Sequence, residues 1–165
     1  MLYLIACIAI VALDQWLKGW VVSNIEPGTW KVFIPGFLRL THVRNSGAAF
    51  SIMQNMRWLF VVITIIFVIT VVWAYLKKRV TYPFGLWSLT ALTAGAIGNL
   101  VDRLRFGYVV DMFETEFMRF PVFNIADCFI TVGGILFTVY LLFLYEKKEP
   151  AALSNEGKDY DKDKR

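Results

Sequence analysis

Two aspartates close short apolar runs in the second half of this chain, Gly107-Tyr108-Val109-Val110-Asp111 and Phe123-Asn124-Ile125-Ala126-Asp127. A carboxyl group there sits where hydrocarbon meets water, and ionisable groups in that position mark functional sites. Two such carboxyls brought close cannot both ionise readily, because each disfavours charge on the other. One keeps its proton and can donate it, while the other can activate a water toward a peptide carbonyl. The two titrate as a unit, so the acid and base roles stay open at this stage. Other hydrolytic chemistries lack parts. His42 is the only histidine, with no serine or cysteine pattern to serve. No metal-ligand spacing is present, so neither a metal nor a cofactor is expected.

More polar residues interrupt apolar segments elsewhere. Asp14 and Lys18, four apart, share a helix face and can neutralise each other, either as a structural ion pair or as support beneath an active site. Asn99, Asp102 and Arg103 stand at i, i+3 and i+4 and project from one face at the end of another apolar segment. Adjacent Asp102 and Arg103 cannot pair well with each other, so each needs a partner elsewhere. Arg103 suits a backbone carbonyl or a lipid headgroup, and Asn99 a substrate amide. Asn45 opens a small-residue stretch, Asn45-Ser46-Gly47-Ala48-Ala49-Phe50-Ser51, that could approach a peptide closely or be a plain turn. Asp102 stays undecided between structure and support, and Glu114 and Glu116 read as solvated loop residues.

The elements that must position these groups follow from composition. With 58% hydrophobic residues, 18% charged and a mean hydropathy of +0.56 over 165 residues, the chain is too apolar for a soluble domain of this size. It reads as an all-α polytopic membrane protein of four helices. Helix one runs from Met1 to about Val22, helix two from Trp58 to Leu76, helix three from Phe84 to about Val101, and helix four from near Val122 to Tyr145. The 19 residues of helix two span roughly 28 Å, the thickness of a hydrocarbon core. Ala94-Gly95-Ala96, Gly98 and Gly133-Gly134 permit close helix contact. Between helices one and two, Trp30 to Ile34 and Phe37 to Val43 are β-prone around Pro35-Gly36, predicting a small sheet at the membrane surface. The segment from Arg105 to Pro121 reads as a loop over the membrane.

Residues 1–145 form one membrane-embedded domain, and residues 146–165, with six acidic and six basic side chains, read as a disordered cytoplasmic tail. Lys77-Lys78-Arg79 and Lys147-Lys148 place both termini in the cytoplasm and the polar residues at the outer face. The net charge of +4 carries no basic stripe interleaved with aromatics, so no nucleic-acid partner is expected. Cys7 and Cys128 read as buried small hydrophobes at opposite ends of the bundle. Leu4-Ile5-Ala6-Cys7 looks superficially like a lipobox but lacks a basic region before it, so helix one is expected to be retained.

Five motifs together, Asp14-Gln15 with Lys18, Asn45 to Ser51, Gly98-Asn99 with Asp102-Arg103, Gly107 to Asp111 and Phe123 to Asp127, closely resemble bacterial lipoprotein signal peptidase, the signal peptidase II family. The resemblance implies an aspartic endopeptidase of the bacterial inner membrane; a monomer is expected, though sequence alone leaves the oligomeric state open. Such an enzyme cuts prolipoproteins just before a diacylglyceryl-modified cysteine and is a target of globomycin-type inhibitors. By motif position Asp111 and Asp127 match the catalytic dyad. Asp14, Lys18, Asn45, Gly47, Asn99, Asp102, Arg103, Asn124 and Ala126 match substrate-binding or supporting positions. Met112 departs from the phenylalanine often found after the first aspartate. The rival readings are a small transporter or proton-coupled subunit whose aspartates relay ions, and a scaffold whose polar residues only pack.

Overall fold

The computed structural model describes residues 1–47 and 53–145. Ala48 to Ser51 of the small-residue motif, and the tail from Glu146 with Lys147 and Lys148, lie outside the described residues. Four helices are long and apolar enough to cross a membrane. They are α1 (Leu2–Asn24), α2 (Arg57–Leu76), α3 (Pro83–Phe106) and α4 (Ile125–Val139), the last continuing through a π-helical turn at Tyr140–Leu144.

Burial is concentrated in α3, which packs against each of the other three helices. Its small residues explain why. A side chain at Gly95 would run into the Ala126 carbonyl and Ile130 of α4, and one at Gly98 into the Asp14 carboxylate of α1. On the α4 side Gly133 faces the backbone of Leu92 and Ser88, whereas a side chain at Gly134 would meet Leu92 only at an ordinary 4.0 Å. By contrast α2 buries only Val61 and presents isoleucines and valines outward, the surface of a helix solvated by lipid.

Three antiparallel strands form one sheet in the order β1 (Trp30–Ile34), β2 (Leu38–Asn45), β3 (Val109–Thr115). The β1–β2 turn is the one the Pro35-Gly36 pair predicts. Phe37 N–H donates to the Ile34 carbonyl at 3.0 Å, and Gly36 has φ +71°, the positive value that a type II turn requires at its third residue. The third strand corrects the reading of Arg105 to Pro121 as a loop. Helix α3 runs five residues further than expected, to Phe106, and stops at Gly107 in the left-handed conformation (φ +87°). The chain then pairs with β2 across some seventy residues. Val109 to Met112 are all buried, so the strand carries no alternation to betray it.

The β2–β3 register slips between Leu40 and Val43, where an irregularity inserts one residue. Beyond it Val43 faces Asp111 and Asn45 faces Val109. A one-residue slip exchanges the faces of a strand, and this one puts Asn45 and Asp111 on the same face as diagonal neighbours. Met112, Val110, Val21 and Ile25 pack beneath the sheet and fasten it to the end of α1.

Candidate active site

Asp111 projects from β3, whereas Asp127 occupies the first turn of α4, and the segment between them closes on itself to bring the two together. Phe113 and Phe123 exchange backbone hydrogen bonds, N–H of 113 to O of 123 at 2.8 Å and the reverse at 3.1 Å. Asn124 follows at once as the N-cap of α4. Its side chain accepts from Asp127 N–H at 2.9 Å while Asp127 Oδ2 accepts from Asn124 N–H at 3.2 Å, a reciprocal capping box. A helix starting near Val122, as the sequence suggests, would put Asn124 inside it, whereas α4 starts at Ile125. Asn124 instead stands at the boundary, where its amide is free to turn toward β3.

It does so: Asn124 Nδ2 donates to Asp111 Oδ1 at 2.7 Å, and Asn45 Nδ2 donates to Asp111 Oδ2 at 2.9 Å. On the other carboxyl, Asn99 Nδ2 donates to Asp127 Oδ1 at 2.8 Å. Asn99 Oδ1 meanwhile accepts from Asn124 Nδ2 at 3.2 Å and from Lys18 Nζ at 2.9 Å. The two aspartates are thus spanned by three asparagine amides. Burial, and then the neighbouring charge of Asp127, push the Asp111 carboxyl up to about 7, against the opposing effect of its asparagine donors.

A second layer of charge lies underneath. Lys18 is 2% exposed and spends its three donors on Asp14 Oδ2, Asp102 Oδ2 and Asn99, each at 2.9 Å. Asp14 Oδ1 accepts from Ala126 N–H at 3.0 Å, so helix α1 holds the first turn of α4 directly. Asp102 Oδ2 also accepts from Val110 N–H at 3.1 Å, tying α3 to β3. Arg103 Nη2 donates to the Gly47 carbonyl at 3.1 Å, and its guanidinium lies 4.7 Å from the Phe60 ring centroid of α2. Gly47 N–H in turn donates to Asn45 Oδ1 at 3.0 Å, which leaves Asn45 Nδ2 for Asp111.

All eleven sequence-predicted site residues meet in this network: Asp14, Lys18, Asn45, Gly47, Asn99, Asp102, Arg103, Asp111, Asn124, Ala126 and Asp127. Asp102 and Arg103 do find separate partners. Gln15 was quoted in a motif without a role, yet its amide donates to Asp102 Oδ1 at 2.8 Å and to the Gly98 carbonyl at 3.1 Å. A third polar side chain on one turn of an apolar helix was the available signal. Phe120, Pro121 and Val122 carried no such signal, yet they wall the cleft. Glu114 and Glu116, read as solvated, contact Arg39 at 3.4 and 3.5 Å. His42 is buried with Nδ1 2.9 Å from the Ile25 carbonyl, a structural placement. The cysteine reading needs correction, since Cys128 is exposed and Cys7 half-buried. Cys128 is exposed because it follows Asp127 on α4 and lines the same cleft.

Asp111 and Asp127 both line a cleft of about 470 Å³, walled by Phe120, Pro121 and Val122 on one side and Ile130 and Val132 of α4 on the other. Among the described residues no three His, Cys, Asp or Glu side chains cluster as a metal site would require.

The fold and the site define a multi-pass membrane aspartic peptidase. Similarity to known proteins narrows this further. A family model described as signal peptidase (SPase) II matches residues 6–143. A lipoprotein signal peptidase of Enterococcus faecalis is 46% identical over 143 residues, covering 85% of this chain and 87% of that protein. One of Streptococcus agalactiae is 48% identical over 138 residues, covering 83% and 89%. A solved structure described as a bacterial membrane enzyme superposes with a TM-score of 0.82 at 35% identity, covering 88% of this chain and 90% of that one. The chain belongs to the signal peptidase II family.

Proposed function

We propose that Asp111 and Asp127 are the catalytic dyad with which this bacterial inner-membrane endopeptidase removes signal peptides from prolipoproteins, cutting before the lipid-bearing cysteine. The observation that carries the assignment is the shared cleft: two carboxyls from different elements, bridged by asparagine amides, open onto one apolar-walled space.

The environments of the two carboxyls favour a division of labour. Asp127 sits in the first turn of α4, where backbone N–H groups and the helix dipole stabilise an anion. Asp111 is buried, and its elevated pKa favours the protonated form. Asp127 then takes a proton from a water as that water attacks the carbonyl carbon, and Asp111 gives its proton to the developing oxyanion. Collapse of the tetrahedral intermediate breaks the C–N bond, the amine leaving with the proton that Asp127 holds while the oxyanion proton returns to Asp111. Net, one water is consumed and both carboxyls are restored. Asn99 and Asn124 hold the pair in register throughout.

The site stands near the outer face with both termini in the cytoplasm, an orientation supported by Lys77, Lys78 and Arg79 in the short α2–α3 turn. A lipid-anchored precursor reaches the cleft sideways through the bilayer, and a monomer suffices, since every residue named comes from one chain. Globomycin-type peptides would occupy the same cleft. The test uses purified protein and a diacylglyceryl-modified precursor. Asp111→Asn and Asp127→Asn should each lower turnover about a thousandfold or more, with insertion intact. Full processing by either variant removes it from the dyad. An ion-relay role would instead leave cleavage untouched in both, and the family membership does not favour it.

A further inference from the structure

Asp111 borders two clefts of different character. The one described above is apolar and runs down beside α4. The other, about 900 Å³, is lined by residues of β2, β3 and the segment that follows β3, and meets the first at Asn45, Asp111 and the Phe120 to Val122 wall. Its lining is mixed: Arg39, Arg44 and Arg119 with Glu114 and Glu116, beside apolar Val43, Phe117 and Met118. Both glutamates lie against Arg39 Nε, at 3.4 and 3.5 Å. Among the described residues, Arg44 and Arg119 have no carboxylate partner. Arg44 rests against the Tyr108 ring, 5.4 Å from its centroid, and both arginines are exposed.

We infer that this second cleft receives the first residues of the mature chain, those following the lipidated cysteine, and that Arg44 and Arg119 make it prefer acidic over basic side chains there. The inference rests on the peptidase reading above. A precursor of this class is apolar up to the scissile bond and polar beyond it. The two clefts meet at Asp111 in that order, one lined mostly by hydrocarbon and the other carrying the charged side chains. A peptide whose carbonyl lies between the aspartates with its signal portion against α4 has to leave over the sheet. The guanidiniums of Arg44 and Arg119, without a carboxylate among the described residues, then give the groove a net positive bias that Arg39 and the two glutamates do not cancel.

Exposed charges of this kind act modestly and are screened by salt. Diacylglyceryl-modified precursor peptides, identical except for Asp, Asn or Lys at the second to fourth positions after the cysteine, provide the measurement. In the wild-type enzyme at low ionic strength kcat/KM for the Asp peptide should exceed that for the Lys peptide by about three- to tenfold, the Asn peptide lying between. The ratio should shrink toward one at high salt, and also in Arg44→Gln/Arg119→Gln at low salt. Each ratio is internal to one enzyme preparation, so a change in overall activity does not alter its meaning. Equal turnover of the Asp and Lys peptides by wild type overturns the inference, as does a preference that survives the double substitution. Efficient cleavage of the Asn peptide in the same assay establishes the peptidase reading independently. Its absence would overturn that reading, and the inference with it.

Discussion

Asn99 has one amide, and its neighbours dictate how that amide must point. Lys18 can only donate, so the oxygen of Asn99 has to face it, and the nitrogen is left for Asp127. Asn45 is oriented in the same way by the Gly47 N–H, which claims its oxygen and frees its nitrogen for Asp111. A buried cation flanked by Asp14 and Asp102 thus sets the direction of a hydrogen bond it does not itself make. The titration of Asp111 follows from its surroundings. Burial and the neighbouring Asp127 raise its carboxyl from the usual 3.8 to about 7 in the folded protein, so the native state holds a proton that the unfolded chain has released. Stability therefore falls as pH rises from about 4 to about 7 and levels above that, since the unfolded state binds fewer protons in this window. If Asp111 supplies the proton to the oxyanion, kcat/KM should fall as pH rises through about 7. A pH–rate profile and thermal unfolding across the same range check both, with Asp111→Asn flattening the unfolding slope. A rate still rising steadily above pH 8 would place the proton elsewhere.

At the scale of elements, the site is a meeting of ends. Helix α1 ties down the start of α4 through Asp14 and Ala126, α3 ties down β3 through Asp102 and Val110, and the Phe113–Phe123 pairing closes the fifteen residues between the aspartates. Spacing between helices α3 and α4 therefore sets spacing between carboxyls. Gly95 tests this, because a methyl there meets the Ala126 carbonyl and comes within 2.9 Å of Ile130. Gly95→Ala should displace the first turn of α4 and lower cleavage about a hundredfold, the cost of an ångström-scale misplacement. Gly134→Ala, whose nearest contact is 4.0 Å away at Leu92, is the matched control and should cleave normally. Comparable activity in the two variants would show that helix separation does not govern the dyad.

At the scale of the whole molecule, the polar network lies at one end of a bundle of four membrane-length apolar helices. The orientation makes a topological prediction. In a background with Cys7 and Cys128 replaced by serine, Pro35→Cys at the hairpin turn should react with a membrane-impermeant maleimide on intact cells. Lys78→Cys in the α2–α3 turn should react only after lysis. The reverse pattern would put the sheet, and the cleft with it, on the cytoplasmic side.

The four helices were legible because a membrane segment is a run of apolar residues about twenty long, a property of the chain alone. The site residues were legible for a related reason. Asp14, Lys18, Asn99, Asp102 and Arg103 are polar where lipid would otherwise be, and their motif spacing resembles a known family. What the sequence could not reveal is how they share partners. Strand β3 was hidden because its buried run has no alternation and its pairing partner lies some seventy residues away. The one-residue slip between Leu40 and Val43 depends on both strands at once, yet it decides which face Asn45 presents to Asp111. Asn124 is a helix cap or an active-site amide only once β3 stands beside it. Local composition determined which residues are polar and which segments cross the membrane, whereas only tertiary pairing, through contacts between elements distant in sequence, decided that Asp111 and Asp127 share one cleft.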